Sequence, residues 1–132
     1  MDRQTYKRLI DILHDYKHIP NEIETKKKVL EIKLCNPNLN AKEGYKSFVA
    51  LDNEVDYLVR KYKTLRHYFS TINDKDRQLL ACLMNNKNIF AIEKILDMTN
   101  YMIVKKIEFY SEALSKQIDY RKIYGIEEEK SL

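Results

Sequence analysis

The chain has 132 residues and a formal net charge of +4 at pH 7, with 44% hydrophobic and 33% charged residues. These proportions are typical of a folded protein and argue against a disordered one. Only two Gly and two Pro occur, whereas all-β folds need frequent turn residues, so sandwiches and barrels are disfavoured. With no run of about 18 apolar residues and no secretory signal pattern, we expect a cytoplasmic protein with no membrane contact.

The residue types that usually carry catalysis are scattered along the chain. No cysteine or carboxylate stands at metal-ligand spacing to His14, His18 or His67, and no phosphate-binding or nucleophile motif occurs. Cys35 and Cys82 lie in unrelated contexts, so they are predicted to be free thiols in the reducing cytoplasm of a bacterial host. We therefore expect no enzyme activity, no small-molecule substrate, no cofactor and no metal.

The N-terminal segment has the periodicity of helices. Apolar residues recur at steps of three and four from Asp2 to Tyr16, which predicts a first helix. Pro20 is predicted to interrupt it, because proline lacks a donor and disfavours a helical residue before it. A second helix is expected from Asn21 to Leu34. Residues 1–36 are accordingly predicted to be an N-terminal helical pair, an arm that contacts a dimer partner or another protein.

The middle of the chain predicts a loop and then a long helix. Residues 37–46 contain Pro37, Gly44 and two Asn, which is typical of a loop. A long central helix is predicted from Ser47 to about Ile72, because apolar residues follow one of its faces over several turns. It begins a domain of residues 47–118, and residues 119–132, with an acidic run, are predicted to be a flexible tail.

The C-terminal half predicts three helices and a tight turn. Asn73 is a good N-cap for the first of them, and Asn85-Asn86 is a good end. Two helices, about residues 88–96 and 100–116, are then joined by Asp97-Met98-Thr99. Met98 is expected to fill the turn and Thr99 to cap the last helix, with its inner face formed by Ile103, Ile107, Tyr110 and Leu114. The predicted fold is therefore all-α, with a C-terminal helix-turn-helix.

This stretch resembles the fourth region of bacterial sigma factors and the phage regulators of the RinA and ArpU type that share it. The resemblance is carried by Leu79-Leu80, Asn86, Ile95-Leu96, Asp97-Met98-Thr99 and Ile103. The wider layout is also similar to RinA-like regulators, with a step in the N-terminal helical pair at Asp15-Tyr16-Lys17. The resemblance implies a sequence-specific regulator of transcription that activates phage late genes.

The chain departs from the family pattern at two positions. Asp97 stands where the family usually has Gly, but Asp tolerates the left-handed conformation better than most residues. Glu93 stands where the family usually has Ala, because the two helices approach closely there. A buried carboxylate is costly, so Glu93 must reach solvent or a partner.

A helix-turn-helix exposes the first turns of its second helix to the major groove of double-stranded DNA. The residues expected to face the bases are Asn100, Tyr101, Met102, Val104, Lys105 and Glu108. Those expected to contact the phosphate backbone are Thr99, Lys106, Arg60, Lys61, Lys63 and Arg66. The alternative for both sets is that the lysines and arginines do not contact DNA and form ordinary solvated helix faces. RNA polymerase and a second copy of the chain are the expected protein partners.

Two other functions fit the same pattern. A protein–protein adaptor or inhibitor that has lost DNA binding is favoured by Glu93, Glu108, Glu112 and the modest net charge. A DNA-packaging factor of the small-terminase kind also pairs a helix-turn-helix with oligomerising helices. A ring-shaped oligomer would distinguish that factor from a regulator.

Overall fold

A computed structural model describes residues 1–34, 41–119 and 123–124, with the side chains of residues 41–45 left out of the description. Within these ranges the protein is all-helical. The helices are α1 (Arg3–Leu34), α2 (Ala41–Thr71), α3 (Asp74–Met84), α4 (Ile89–Leu96) and α5 (Asn100–Gln117). None of them is long and apolar enough to cross a membrane.

The predicted N-terminal pair is a single helix, because α1 continues through Pro20. Proline inside a helix removes one hydrogen bond and costs about 3 kcal/mol. Pro20 is exposed, whereas its neighbour Ile19 is 1% exposed and Leu30 is buried ten residues further on. Packing on both sides of Pro20 therefore holds the two halves of α1 in line and offsets that cost.

The long central helix begins at Ala41, earlier than predicted, so the loop assigned to residues 37–46 is wrong from residue 41 onward. Residues 35–40 lie outside the described residues. Gly44 within a helix costs about 1 kcal/mol relative to alanine, which is less than the packing of a long helix supplies. The Lys33 ammonium of α1 donates to the Ser47 hydroxyl of α2, and the Lys26 ammonium lies 2.8 Å from the Glu54 carboxylate. These contacts show that α1 and α2 run antiparallel.

The N-terminal segment belongs to the central core and is not a separate arm. Leu9 and Leu13 of α1 are fully buried in one cluster with Leu65 of α2 and with apolar residues of α3, α4 and α5. The Ser111 hydroxyl of α5 donates to the Thr5 carbonyl oxygen at 3.0 Å. Helix α1 therefore packs directly against α5.

The ends of α3 follow the sequence signals. The Asn73 side chain accepts a hydrogen bond from the Asp76 N–H at 2.8 Å, as expected for an N-cap. Asn86 follows the helix with φ 62°, in the left-handed region that Asn tolerates. Both predicted boundaries of this helix are confirmed.

Two residues of the predicted flexible tail pack against the protein. Ile123 is 5% exposed. The Tyr124 ring lies 6.3 Å from the Tyr57 ring and 5.2 Å from the Arg60 guanidinium. At these positions the expectation of a loose tail is corrected, and residues 120–122 and 125–132 lie outside the described residues.

Candidate nucleic-acid interface

A turn of three residues, Asp97 to Thr99, joins α4 to α5. Asp97 has φ 52° and ψ 50°, which is the left-handed conformation expected where a glycine would be easiest. Met98 is 6% exposed and fills the space beneath the turn. The Thr99 hydroxyl accepts from the Met102 N–H at 3.2 Å, so Thr99 is the N-cap of α5. All three predicted roles are confirmed.

The inner face of α5 is the predicted one. Ile103, Ile107 and Leu114 are fully buried and Tyr110 is 4% exposed, in the same cluster as Ile92 of α4. Each side chain of this size contributes about 1.5–3 kcal/mol on burial. The orientation of α5 about its own axis is thereby fixed, which also fixes the residues that face outward.

The outward face of the first turns of α5 carries the residues predicted to read bases. Asn100, Tyr101, Met102 and Lys105 are exposed, and Val104 and Glu108 are partly exposed. The Lys105 ammonium lies 5.5 Å from the centre of the Tyr101 ring, a cation–π contact that holds both side chains on one ridge. The six residues therefore lie on the solvent-facing half of the first turns of α5, with Asn100 and Met102 toward its two sides.

A buried carboxylate fastens α5 to the start of α3, and the sequence interpretation missed it. Asp76 is 4% exposed, and both of its carboxylate oxygens lie 3.1 Å from the Lys106 ammonium. The Tyr110 hydroxyl donates a hydrogen bond to the same carboxylate. Burial and this hydrogen bond raise the pKa of Tyr110 well above its ordinary value of 10.0. The available signal was an acidic residue three positions after the Asn73 cap.

This network changes the assignment of two residues expected at phosphates. Lys106 is held by Asp76, with its side chain 36% exposed. The Thr99 hydroxyl accepts a hydrogen bond from the Met102 N–H. Both groups therefore hold α5 in position in the free protein.

The basic residues of α2 divide into the half-buried Lys61 and three exposed residues on another side of the helix, Arg60, Lys63 and Arg66. Lys61 is half-buried, four residues before the buried Leu65. Arg66 is near Tyr16, because its charge lowers the pKa of that phenol while burial and Tyr62 raise it more. Arg60 is paired with Asp56 at 3.1 Å.

Lys63 lies at the far end of α5 from the exposed turns. It lines a cavity of about 470 Å³ with His67 and Gln117, and Gln117 is the last residue of α5. At 1.5 Å per residue, Gln117 and Asn100 are roughly 25 Å apart along the helix axis. The structure therefore does not bring the α2 cluster beside the predicted base-reading residues.

Glu93 is partly exposed, so its carboxylate escapes the full cost of burial. Cys82 is a half-buried free thiol, and Cys35 lies outside the described residues. In the part of the chain that is described, no group of three or more His, Cys, Asp or Glu residues is placed to hold a metal ion.

Comparison with known proteins identifies no relative of this chain. The chain matches no family model, and neither the curated proteins nor the solved structures include a significant match. The resemblance to RinA- and ArpU-like regulators therefore rests on the residues that carry it.

Proposed function

We propose that this protein is a sequence-specific double-stranded DNA-binding regulator of transcription, in which α4, the turn and α5 act as a helix-turn-helix. One observation carries the proposal. The first two turns of α5 expose an amide, an ammonium and apolar side chains on their solvent-facing side, the α5 ridge, while the opposite face is anchored in the core. A recognition helix needs that combination, because base reading requires side chains in fixed positions on a rigid helix.

The charges around this ridge support the proposal. The first turns of α4 and α5 contain no acidic residue, whereas the first turn of α3 contains Asp74 and Asp76. No carboxylate within the first turn of α4 or α5 therefore neutralises the positive end of its helix dipole, and Asp97 lies two residues before the Thr99 cap of α5. Lys87, next to the Asn88 cap of α4, and Lys94, in the last turn of α4, are exposed, and we assign them the phosphate contacts. Lys106 acts by holding α5 in place.

The test uses a matched pair of charge reversals on α5. Lys105→Glu changes the base-reading ridge, and Lys116→Glu makes the same change near the other end of the helix, where Lys116 is paired with Glu112. Fluorescence anisotropy with labelled genomic duplexes and excess competitor measures specific binding. Loss of one good base contact costs about 1–3 kcal/mol, so Lys105→Glu is expected to weaken binding at least about fivefold.

Lys116→Glu is expected to bind as the wild type does, and both variants are expected to keep the helical circular dichroism signal. Equal affinities for the two variants would remove the assignment of the recognition helix. A loss of helicity in Lys105→Glu alone would show that this position is structural, and Lys105→Gln would then replace it in the comparison.

The remaining parts of the proposal rest on the resemblance. They are activation of phage late genes, contact with RNA polymerase, a homodimer, and the cytoplasm of a bacterial host as the site of action. Light scattering coupled to size exclusion tests the assembly. A dimer or monomer fits the regulator, whereas a ring-shaped oligomer favours the small-terminase alternative.

A protein–protein adaptor is the second candidate, and a specific observation favours it. Phe90 and Ile95 of α4 and Phe109 of α5 are 66%, 56% and 61% exposed. Exposed aromatic residues are enriched in protein-binding surfaces. If DNA binding is absent, a Phe90→Ser variant in a pull-down from host lysate is the comparison to make.

A further inference from the structure

The exposed ridge of α5 is more apolar than polar. Tyr101 is 71% exposed and Met102 is 45% exposed, and Val104 adds a partly exposed side chain on the side of Tyr101 away from Met102. Asn100 carries the amide of this ridge. The Lys105 ammonium lies 5.5 Å from the centre of the Tyr101 ring, so a positive charge lies next to this apolar surface.

Such a surface discriminates between base pairs. The C5-methyl of thymine is the apolar group that the major groove presents, whereas guanine presents two acceptors and cytosine a donor. Tyr101 and Met102 gain by covering a methyl group, because both surfaces leave water. Pressed against guanine or cytosine, they would leave polar edges without partners, and that is costly.

The polar group at the start of the ridge points to the same base pair. An asparagine amide matches the N6 donor and N7 acceptor of adenine. Asn100 is the first residue of α5 and is exposed. Adenine pairs with thymine, so the amide and the apolar side chains favour the same steps of the duplex.

A lysine on the neighbouring helix also fits a contact with the phosphate backbone. The Lys94 ammonium of α4 lies 4.4 Å from the centre of the Phe90 ring. It is thus held over the face of an exposed aromatic ring, where its charge can contact phosphate.

We propose that this ridge reads A·T-rich major grooves, with Tyr101 and Met102 against thymine methyl groups and Asn100 on adenine. The inference rests on the proposed function and names its substrate class. A cluster of thymines within one turn of the duplex is the expected centre of the target.

Replacing thymine by uracil tests the inference, because uracil lacks only the methyl group. One random-sequence duplex library is amplified with thymidine triphosphate or with deoxyuridine triphosphate, so both pools share their sequences and phosphates. Each buried methyl group is worth about fourfold in affinity, so two contacts predict about 15-fold tighter competitor-resistant binding to the thymine library. Sequencing of the bound fraction is expected to show A·T enrichment.

Two variants make the result specific to the ridge. Met102→Asn replaces an apolar ridge residue by a polar one, and it is expected to reduce the thymine preference at least about threefold. Phe109→Asn makes the same type of change at an exposed residue two turns further along α5, and its preference is expected to match the wild type.

The two proposals fail in different ways. Equal, competitor-resistant binding to both libraries overturns the thymine inference and leaves the DNA-binding function intact. A thymine preference that persists in Met102→Asn also overturns it, because the methyl contact would lie elsewhere. Binding to neither library overturns the proposed function and the inference with it.

Discussion

Removal of the Asp76 carboxylate is expected to destabilise the protein far more than any change at the neighbouring surface acid. In Asp76→Ala the Tyr110 hydroxyl loses its acceptor and Lys106 loses its ion-pair partner. A hydrogen bond to a buried charged group is worth about 1.5–3 kcal/mol, and the Lys106 pair is worth less because that side chain is 36% exposed. Together they predict a loss of about 3 kcal/mol.

Asp74→Ala is the matched control. Asp74 lies in the same first turn of α3, but its side chain is 84% exposed and its partner Arg77 is 47% exposed. Exposed pairs contribute about 0–1 kcal/mol, and the helix dipole adds a few tenths in both variants. The free energies of unfolding come from urea denaturation followed by circular dichroism.

The comparison has a clear refutation. A difference of less than about 1 kcal/mol between the two variants would mean that Asp76 does not anchor α5. If Asp76→Ala does not fold, Asp76→Asn keeps an acceptor for Tyr110 and removes only the charge. That variant is expected to lose about half as much, and a wild-type value would contradict the ion pair with Lys106.

The Tyr110 pKa is raised in the folded state, so this phenol stabilises the fold fully below pH 10.0, and above it the free energy of unfolding falls by up to about 1.4 kcal/mol per pH unit. Tyr110→Phe is expected to flatten that decline in urea denaturation at several pH values. A decline as steep as in the wild type would refute the contact with Asp76. Ile103→Asp places a carboxylate at a fully buried position and is expected to unfold the C-terminal helices, so a wild-type melting curve would show that the register of α5 is wrong. Neutralising Lys63 and Arg66 together is expected to leave the DNA affinity within about twofold and the salt slope unchanged, because Lys63 lies at the far end of α5; a uniform loss on all DNA would return these residues to the interface.

Local chemistry explains why the helix ends of the C-terminal half could be predicted. Asn73, Asn86, Asp97 and Thr99 act through hydrogen bonds or backbone conformations within a few residues of themselves. The buried face of α5 also follows from local spacing, because helix periodicity decides which side chains point one way. The candidate base-reading residues followed from that face by elimination.

The errors arise where distant packing overrides a local signal. Pro20 breaks an isolated helix, but Ile19 and Leu30 of α1 are buried on either side of it. Asp76 and Lys106 are separated by thirty residues, so no local pattern indicates their contact. The basic residues of α2 are close in sequence, yet the packing of α2 in the fold decides where they lie, and Lys63 lies near the last residue of α5, far from its exposed first turns.

Binding of the wild-type protein to double-stranded DNA tests the central claim most directly. Labelled genomic duplexes are titrated with protein at about 50 and 200 mM salt, with and without excess unlabelled competitor. The account predicts binding that resists competitor and weakens as salt rises, since phosphate contacts release counterions. Absence of binding at the lower salt concentration would contradict the account and favour a protein partner for the α4–α5 surface.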